Sequence, residues 1–467
     1  MPDVSFGHFF MEKQMKNTTI AAISTALGAA GISVIRISGE DAVLIADSVF
    51  KANKKLCEMK GYTCAFGAVY DKDEKIDECV ATVFLAPHSY TGENVVELSC
   101  HGGLYVTQKT LQAIFAAGAI PAEAGEFTKR AFLNGKLDLT EAEAVMDIIN
   151  AKSKASARAA LSVKEGALSK KIGEVKALLL DKAAHLNAWA DYPEEDIPEV
   201  SEEELNAALT AAKQKLDQIL IGYDNGKILK EGIDAVIIGK PNVGKSTLMN
   251  LLSGYDKSIV TSVAGTTRDV VEETVNLGDI TLNLSDTAGI RESQDEIEKI
   301  GVDKAKRKLE TASLILCVFD SSRKLTAEDR EILNAVSQIP AIAIINKTDL
   351  PQTLDIDIIK EKIQDIVYMS AKEQQGYNEL QAAVKRLCLS EDFDTTQALL
   401  YNERQRALTE KAKAAVKEAK NALRAGITYD AVTVAIEEAA AYLSELVGES
   451  VSEEVIDRVF HRFCVGK

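Results

Sequence analysis

Apolar and polar residues alternate with the period of a strand in the first part of this chain. Short apolar runs predict strands there, at residues 32–38, 80–85 and 94–99. After the first and the last of these strands the spacing of apolar residues changes to three and four, which predicts helices at residues 42–50 and 104–117. Strands and helices mixed in this way indicate an α+β domain.

After residue 139 the pattern becomes that of a helix. Ala, Glu, Lys and Leu dominate residues 139–189 without any proline, which predicts helix throughout. Two prolines within residues 191–198 end this run. A second helix is predicted from residue 202 to the Asn-Gly pair at residues 225–226.

Residues 230–390 alternate between strand and helix, as in a doubly wound α/β domain. From residue 398 onward the chain is helical again, with Gly426 and Gly448 as interruptions. Because neither helical flank looks complete alone, we predict that the two pack together around an inserted α/β domain. The prediction is a multidomain α/β protein with domains at residues 1–134, 135–229, 230–392 and 393–467.

The first candidate site follows the apolar run at residues 235–238. Residues 239–246 read G-K-P-N-V-G-K-S and match the phosphate-loop pattern, with a predicted strand before it and helix propensity after it. In such a loop the backbone N–H groups and the helix N-terminus face phosphate oxygens. Lys245 is expected to reach the β- and γ-phosphates, and the Ser246 hydroxyl to ligate Mg²⁺.

Four further motifs follow in the order of a GTPase. A polar stretch supplies Thr267 as a second Mg²⁺ ligand, and Asp286 ends a predicted strand where it can hold Mg²⁺ through water. N-K-T-D at residues 346–349 provides Asp349, whose carboxylate can accept both N1–H and N2–H of guanine. S-A-K at residues 370–372 is expected to place a backbone N–H near guanine O6. The predicted GTP-binding residues are Asn242, Val243, Gly244, Lys245, Ser246, Thr247, Thr261, Ser262, Val263, Ala264, Gly265, Thr266, Thr267, Asp286, Thr287, Ala288, Gly289, Asn346, Lys347, Asp349, Ser370, Ala371 and Lys372.

Hydrolysis needs a different device from that of Ras-type enzymes, which place a water-orienting Gln directly after D-T-A-G. Here that position is Ile290, which cannot orient water. Asn242 offers an oxygen that can ligate a monovalent cation beside the phosphates. The acidic stretch 291–298 can supply a Glu that orients water, although a solvated loop is an equally good interpretation.

Composition and cysteine spacing bear on the cellular location of the protein. The chain has 467 residues with 46% hydrophobic residues and no uninterrupted apolar run long enough to span a membrane. Its first residues lack the pattern of a signal peptide, and its seven cysteines form no C-x-x-C pair, so we expect a cytoplasmic protein.

The net charge of −17 argues against a uniformly basic nucleic-acid binder. Residues 403–424 nevertheless carry seven Lys or Arg against three Glu, and residues 152–176 are rich in Lys. Solvated helix faces are the simpler interpretation, and an RNA-contacting face is the alternative.

The whole chain after residue 17 resembles the MnmE (TrmE) family of tRNA-modifying GTPases. Besides the GTPase motifs, the resemblance rests on four segments and on the final F-C-V-G-K. The segments are S-V-I-R-I-S-G at 33–39, Y-T-G-E-N-V-V-E-L at 90–98, C-H-G-G at 100–103 and G-E-F-T-K-R-A-F-L-N-G-K-L-D-L at 125–139.

The resemblance implies a folate-binding, dimerising N-terminal domain and a flavoprotein partner called MnmG, joined in a heterotetramer. Together they install an aminomethyl-type (carboxymethylaminomethyl) group at C5 of the wobble uridine of certain tRNAs, with a one-carbon unit from 5-formyl- or methylene-tetrahydrofolate. It implies folate contacts at Arg36, Glu97, Lys136 and Lys467, with Glu97 favoured over Glu93. Without the resemblance, a surface Arg paired with a Glu and a helix-capping Lys would be the better explanation of these residues.

The resemblance also implies a potassium site, Mg²⁺ ligands and two catalytic residues. K⁺ is expected at Asn242, Thr261, Val263 and Thr266, and Mg²⁺ at Ser246 and Thr267. Glu298 matches the water-orienting acid, and Cys464 matches a cysteine that the family requires for modification. A cysteine in this position is otherwise most simply a packing residue.

The alternative hypothesis is a ribosome-assembly GTPase, a binding switch that shares the same GTPase motifs. Such proteins usually carry an RNA-binding module such as KH, marked by a G-x-x-G loop, or a second GTPase domain. The sequence shows neither, which favours the tRNA-modifying enzyme.

Overall fold

The computed structural model describes residues 18–191, 201–255, 272–286, 312–336, 339–389 and 399–467. The chain divides into two compact units. The first comprises residues 1–146, 164–213 and 408–467, and the second comprises residues 147–163 and 214–407. Both contain sheets and helices, so the predicted multidomain α/β class is confirmed.

The first unit contains a seven-stranded sheet in the order β3-β4-β5-β6-β2-β1-β7. Its strands are β1 (Ile20–Ile23), β2 (Ile32–Ser38), β3 (Phe50–Ala52), β4 (Thr63–Asp71), β5 (Glu74–Phe84), β6 (Val95–His101) and β7 (Ile120–Pro121). Helices α1 (Ala42–Val49) and α2 (Leu104–Ala116) cover one face. Because side chains alternate along β2, Ile35 and Ile37 enter this core while Arg36 points to the other face.

The helical part of the first unit draws on both flanks of the chain. It contains α3 (Glu126–Leu133), α6 (Ala167–Asp191), α13 (Tyr429–Val447) and α14 (Glu453–Phe460), with most of α4 (Leu139–Ile149). Helix α6 lies along α13, where the Trp189 and Tyr429 rings meet edge to face at 5.7 Å and Asn187 donates to Glu437 at 3.0 Å. Residues before and after the inserted domain therefore pack on each other.

Residues 139–189 are helical as predicted, and they form three helices, because α5 (Lys154–Lys164) is set off by residues 150–153 and by Gly166 with φ +87°. The predicted end of the next helix at residues 225–226 was wrong. Helix α7 (Glu202–Glu231) continues past Gly226, where a Cβ would lie 2.5 Å from the Leu400 carbonyl oxygen. The glycine there permits close packing, and the helix ends at Gly232, whose φ is +85°.

The second unit contains a six-stranded sheet in the order β13-β12-β11-β8-β10-β9, parallel except for β9. Its strands are β8 (Ile233–Ile238), β9 (Glu272–Leu277), β10 (Ile280–Asp286), β11 (Leu314–Asp320), β12 (Ala341–Asn346) and β13 (Asp365–Tyr368). Helices α8 (Lys245–Tyr255), α9 (Ala327–Ala335), α10 (Asp357–Lys360) and α11 (Tyr377–Cys388) follow these strands in the chain, and nearly all of α5 and the second half of α7 also belong to this unit. The parallel strands end at one edge, where ligands of such folds bind.

Helix α12 (Glu403–Arg424) and a short 3₁₀ helix at Leu56–Glu58 complete the described elements. The predicted interruptions at Gly426 and Gly448 are confirmed, since both have positive φ and follow the ends of α12 and α13. No helix within the described ranges has the length and apolar character needed to cross a membrane.

Candidate functional site

The phosphate-loop motif lies between β8 and α8, at the carboxyl edge of the second sheet. Asn242 and Gly244 have φ of +65° and +103°, so the backbone curls there. The Lys245 ammonium donates to the carbonyl oxygens of Gly239 and Lys240, each at 2.8 Å. Ser246 and Thr247 are exposed in the first turn of α8. A curled loop with a cation inside it and hydroxyls beside it is suited to a polyphosphate with Mg²⁺.

Asn346 ties this loop to the neighbouring strand ends. It is the last residue of β12 and is 3% exposed. Its Nδ2 donates to the Val243 carbonyl oxygen at 2.9 Å, and its Oδ1 accepts from the Ala371 N–H at 3.0 Å. A Cβ on Gly244 would lie 2.2 Å from this Nδ2, so the contact requires glycine. One buried amide thus aligns the phosphate loop with residues 370–372.

Asp349 of the N-K-T-D motif and Ser370 of the S-A-K segment form a polar pair where the guanine base is expected to bind. The Ser370 hydroxyl donates to Asp349 Oδ1 at 2.6 Å. This hydrogen bond lowers the pKa of the Asp349 carboxyl and so favours its ionised form. Lys372 is exposed and pairs with Glu373 at 3.5 Å. An ionised carboxylate is the acceptor that the two N–H donors of guanine require.

Asp320, which belongs to none of the sequence motifs, holds Lys347 in the same site. It ends β11 and is 5% exposed. The Lys347 ammonium donates to Asp320 Oδ2 and to the Asn242 carbonyl oxygen, both at 2.7 Å. Burial raises the pKa of Asp320, but hydrogen bonds from Lys347 and Ser322 outweigh it and leave the pKa lowered. The available signal was an Asp at the end of the continuous apolar run L-I-L-C-V-F-D.

Part of the predicted GTP site lies outside the described residues. This applies to Thr261, Ser262, Val263, Ala264, Gly265, Thr266, Thr267, Thr287, Ala288, Gly289 and Glu298. Asp286 is described as the last residue of β10, which runs parallel to β8. In the described ranges no cluster of three or more His, Cys, Asp or Glu is arranged to hold a metal ion.

A second candidate site lies in the first unit, on the sheet face opposite the helices. Arg36 on β2 and Glu97 on β6 are directly paired across the two strands, and Arg36 Nε donates to Glu97 Oε1 at 2.8 Å. The guanidinium also lies over the rings of Tyr90 and Phe127, at 5.4 and 5.5 Å from their centres. The pair is thus held by both charge and stacking.

The segment of residues 464–467, called the tail here, lies against the same Arg36. Gly125 N–H donates to the Cys464 carbonyl oxygen at 3.3 Å, and Phe127 N–H donates to that of Lys467 at 3.2 Å. Gly466 has φ +95°, and its carbonyl oxygen accepts from Ser24 at 3.1 Å and from Arg36 at 3.5 Å. The tail is therefore seated between the start of α3 and the sheet.

Lys467 joins this charged cluster, whereas Lys136 does not. Burial lowers the pKa of the Lys467 ammonium, and the positive charge of Arg36 lowers it further. Cys464 is exposed and close enough to influence that ammonium. Lys136 donates instead to the Pro87 carbonyl oxygen at 3.2 Å. Three of the four predicted folate residues are therefore brought together.

The matches with known proteins cover both sites. Residues 19–136 match the model of the GTP-binding protein TrmE N-terminus, and residues 139–464 match that of the MnmE helical domain. The chain is 43% identical over 456 residues to the tRNA modification GTPase MnmE of Lactiplantibacillus plantarum, covering 96% of this chain and 98% of that protein. The chain belongs to the MnmE family.

A second MnmE relative, from Clostridioides difficile, is 41% identical over 454 residues, covering 96% of this chain and 99% of that protein. Among solved structures, Era of Aquifex aeolicus bound to GDP and aluminium fluoride is 32% identical. That match covers 39% of this chain and 66% of Era with a TM-score of 0.28.

Arg130 is a further residue of this MnmE-family N-terminal unit that sequence reasoning missed. It is 1% exposed and donates to both oxygens of Glu93, at 3.1 and 3.2 Å, and to Glu126 at 2.8 Å. Both Glu93 oxygens are thus engaged, whereas no described residue bonds Glu97 Oε2. The signal lay in the G-E-F-T-K-R motif, which contains both Glu126 and Arg130.

Proposed function

We propose that this chain is a potassium-activated GTPase that modifies the wobble uridine of tRNA. With an MnmG-type flavoprotein, it would install an aminomethyl-type (carboxymethylaminomethyl) group at C5 of U34, using a one-carbon unit from a tetrahydrofolate. Membership of the MnmE family supports the GTPase and tRNA-modifying activities. The main support for folate-dependent modification is the Arg36–Glu97 pair, which lies beside the tail of residues 464–467.

The nucleotide half of the proposal rests on the phosphate loop and its neighbours. Lys245 would face the phosphates, Asp349 would select guanine, and the exposed Ser246 hydroxyl would hold Mg²⁺ together with Thr267. Mg²⁺ neutralises charge on the phosphate oxygens. Asn242 is exposed, and no described residue bonds its side-chain amide, so its oxygen suits a K⁺ ligand. Thr261, Val263 and Thr266 would complete the K⁺ site, and Glu298 would orient water.

Replacing KCl with NaCl in a GTP hydrolysis assay tests the cation. We expect hydrolysis to be at least about tenfold faster in KCl, because K⁺ would supply charge where other GTPases use an arginine worth roughly 10³–10⁵ in rate. Asn242→Ala should remove the difference between the salts. Asn250→Ala, a change at an exposed Asn on α8, should preserve it. Equal rates of the unmodified protein in both salts would exclude the potassium site.

The folate half rests on the charges around the tail. A tetrahydrofolate carries an anionic glutamate moiety, for which Arg36 and Lys467 offer cations, and pterin N–H donors, for which Glu97 offers an open oxygen. Bound folate would supply the one-carbon unit of the modification. Lys136, which bonds the Pro87 carbonyl oxygen outside this charged cluster, stays in the proposal as a further folate contact. Cys464 is exposed beside Lys467, in a position to take part in the modification.

Calorimetric titration with 5-formyl-tetrahydrofolate tests this half. We expect Glu97→Gln to weaken binding about tenfold or more, since a hydrogen bond to a charged group contributes about 1.5–3 kcal/mol. Glu78→Gln is the matched control, because Glu78 is exposed on β5 and, among the described residues, forms its ion pair with Lys75 alone. No binding by the unmodified protein, combined with co-sedimentation with a ribosomal subunit, would favour the ribosome-assembly hypothesis.

The proposed assembly is a homodimer that joins MnmG in a heterotetramer and acts on tRNA. Nucleoside mass spectrometry of tRNA from a strain lacking this chain should show the C5 substituent missing, and the unmodified gene should restore it. Cys464→Ser should fail to restore it while leaving GTP hydrolysis intact. Restoration by Cys464→Ser would show that the thiol has no role in modification.

A further inference from the structure

Two helices carry the lysine-rich stretches of this chain, and their compositions differ. Residues 151–164, which include α5, contain Lys152, Lys154, Arg158 and Lys164 and no Asp or Glu. Helix α12, by contrast, mixes seven Lys or Arg with three Glu. In a protein with a net charge of −17, a stretch free of acidic residues is the local exception.

The cations of α12 are largely engaged within the protein. Arg406 pairs with Glu403 at 3.5 Å and lies over the Tyr223 ring. Lys411 lies over the Tyr442 ring at 5.5 Å, and Lys420 donates to Thr210. Arg404 and Lys413 also have interaction partners, so five of the seven α12 cations have a structural explanation.

The first three cations of the α5 region have no such explanation. Lys152, Lys154 and Arg158 are exposed, and within the described part of the chain their side chains form no ion pair or hydrogen bond. Lys154 and Arg158 are four residues apart and share one face of the helix. Ala155, Ala159 and Val163 fill the buried side. The three cations, called the α5 cluster here, therefore present uncompensated positive charge to solvent.

The α5 cluster begins at a point held by the nucleotide-binding sheet. Asn276 at the end of β9 donates through Nδ2 to the Lys152 carbonyl oxygen at 2.8 Å. Strand β9 pairs with β10, which ends at Asp286 in the predicted Mg²⁺ site. A macromolecule bound to the cluster would thus lie next to the hairpin that leads into the GTP site.

We propose that Lys152, Lys154 and Arg158 contact the phosphate backbone of tRNA. This inference rests on the proposed function, in which tRNA is the substrate. An otherwise acidic protein repels a polyanion, so its RNA contacts must fall where cations are exposed without acidic neighbours. Contacts of this kind position the RNA and carry no sequence preference.

The test measures affinity of the full chain for an unmodified tRNA transcript by fluorescence anisotropy at several KCl concentrations. The variant is the triple change Lys152→Gln, Lys154→Gln and Arg158→Gln. The matched control is Lys411→Gln, Lys417→Gln and Arg424→Gln on α12, which removes the same total charge from exposed positions. Both variants should hydrolyse GTP at the unmodified rate and keep the unmodified circular dichroism spectrum.

We expect the α5 variant to bind tRNA about tenfold more weakly and to lose about 2 to 3 from the slope of log affinity against log salt, as three phosphate contacts predict. The control should change affinity by less than about twofold. Equal losses in both variants would overturn the proposal, because total charge would then explain them. An unchanged α5 variant, or one that loses binding only to anionic lipid vesicles or to the flavoprotein, would also overturn it.

The same experiment separates this proposal from the proposed function. If the α5 variant binds tRNA normally and restores the modified nucleoside in a deletion strain, the cluster is not the tRNA contact while the proposed function stands. If the unmodified chain neither binds tRNA nor restores the nucleoside, the proposed function fails, and the cluster proposal fails with it.

Discussion

The nucleotide site and the tail site are built in different ways. At the nucleotide site, loops at strand ends place backbone groups and short side chains, and Lys245 bonds the carbonyl oxygens of its own loop. At the tail site, side chains from separate strands meet a segment more than four hundred residues away, as the Arg36–Gly466 contact shows. The nucleotide site is therefore built mainly from short sequence motifs. The tail site depends on the register of the sheet and on how the tail packs against it.

The two sites also differ in how firmly they are held. The amide of Asn346 is buried and bonded at 2.9 and 3.0 Å to both neighbouring loops. The tail is held by contacts of 3.1 to 3.5 Å and by one glycine pressed against backbone. We therefore expect the tail site to respond to changes that leave the nucleotide site intact, and the following predictions test that difference.

The largest effect is expected from Lys245→Ala. It removes the cation inside the phosphate loop, and loss of one well-placed charge-stabilising group typically lowers the rate about 10²–10³-fold. GTP hydrolysis measured in a single turnover should fall by that factor, while affinity for 5-formyl-tetrahydrofolate stays unchanged. Lys324→Ala, at an exposed lysine of the same unit, should alter neither. A parallel loss of folate affinity would show that the two sites are not independent.

The converse change is Gly466→Ala. A Cβ there would lie 2.4 Å from the Ile23 carbonyl oxygen, in a residue whose φ is +95°. Strain of about 1–3 kcal/mol should displace the tail and weaken folate binding about tenfold, with GTP hydrolysis unaffected. Gly426→Ala is the control, because its φ of +65° imposes similar strain but a Cβ there would meet nothing within 4 Å. If the Gly466→Ala and Gly426→Ala variants bind folate equally well, the close packing of Gly466 against Ile23 does not contribute to folate binding.

A smaller effect concerns the pH dependence of folate binding. The pKa of Lys467 is lowered by burial and by Arg36, so its positive charge is lost at a lower pH than that of an ordinary lysine. Folate affinity should therefore fall as pH rises through this pKa. Lys467→Arg, which stays charged, should retain affinity to higher pH in calorimetric titrations. Superimposable pH profiles for the two proteins would exclude Lys467 as the titrating contact.

The smallest effect is expected from Ser370→Ala at the nucleotide site. The Ser370 hydroxyl lowers the pKa of Asp349, so its removal should raise that pKa. GDP affinity should then be unchanged at neutral pH but begin to fall at a higher pH on the acidic side. Ser322→Ala removes a hydrogen bond to Asp320 instead. It should leave unchanged the acidic pH at which GDP affinity begins to fall through protonation of Asp349. An unshifted acid limb in Ser370→Ala would show that this hydroxyl does not tune Asp349.

Helix and strand positions were predictable where the pattern was local. The alternation of residues 32–38 yielded β2 with the bounds observed, and the phosphate loop was recognised from eight residues. The prediction that helix α7 ends at Gly226 failed because that glycine serves a contact with Leu400, which local sequence does not reveal. Asp320 was missed for a related reason, since its partner Lys347 is distant in the sequence and follows the end of another strand, β12.

The sequence by itself determined the family, the GTP motifs and the alternation that turns Arg36 away from the sheet core, because these depend on residue identity and short spacing. Only the tertiary structure decided that Arg36 pairs with Glu97 and that Arg130 donates to Glu93. It also decided that the tail contacts Arg36 and that Lys136 bonds Pro87 instead. Such contacts depend on strand register and on packing between distant segments. Side-chain chemistry is local, but the distance between two side chains is a property of the whole fold.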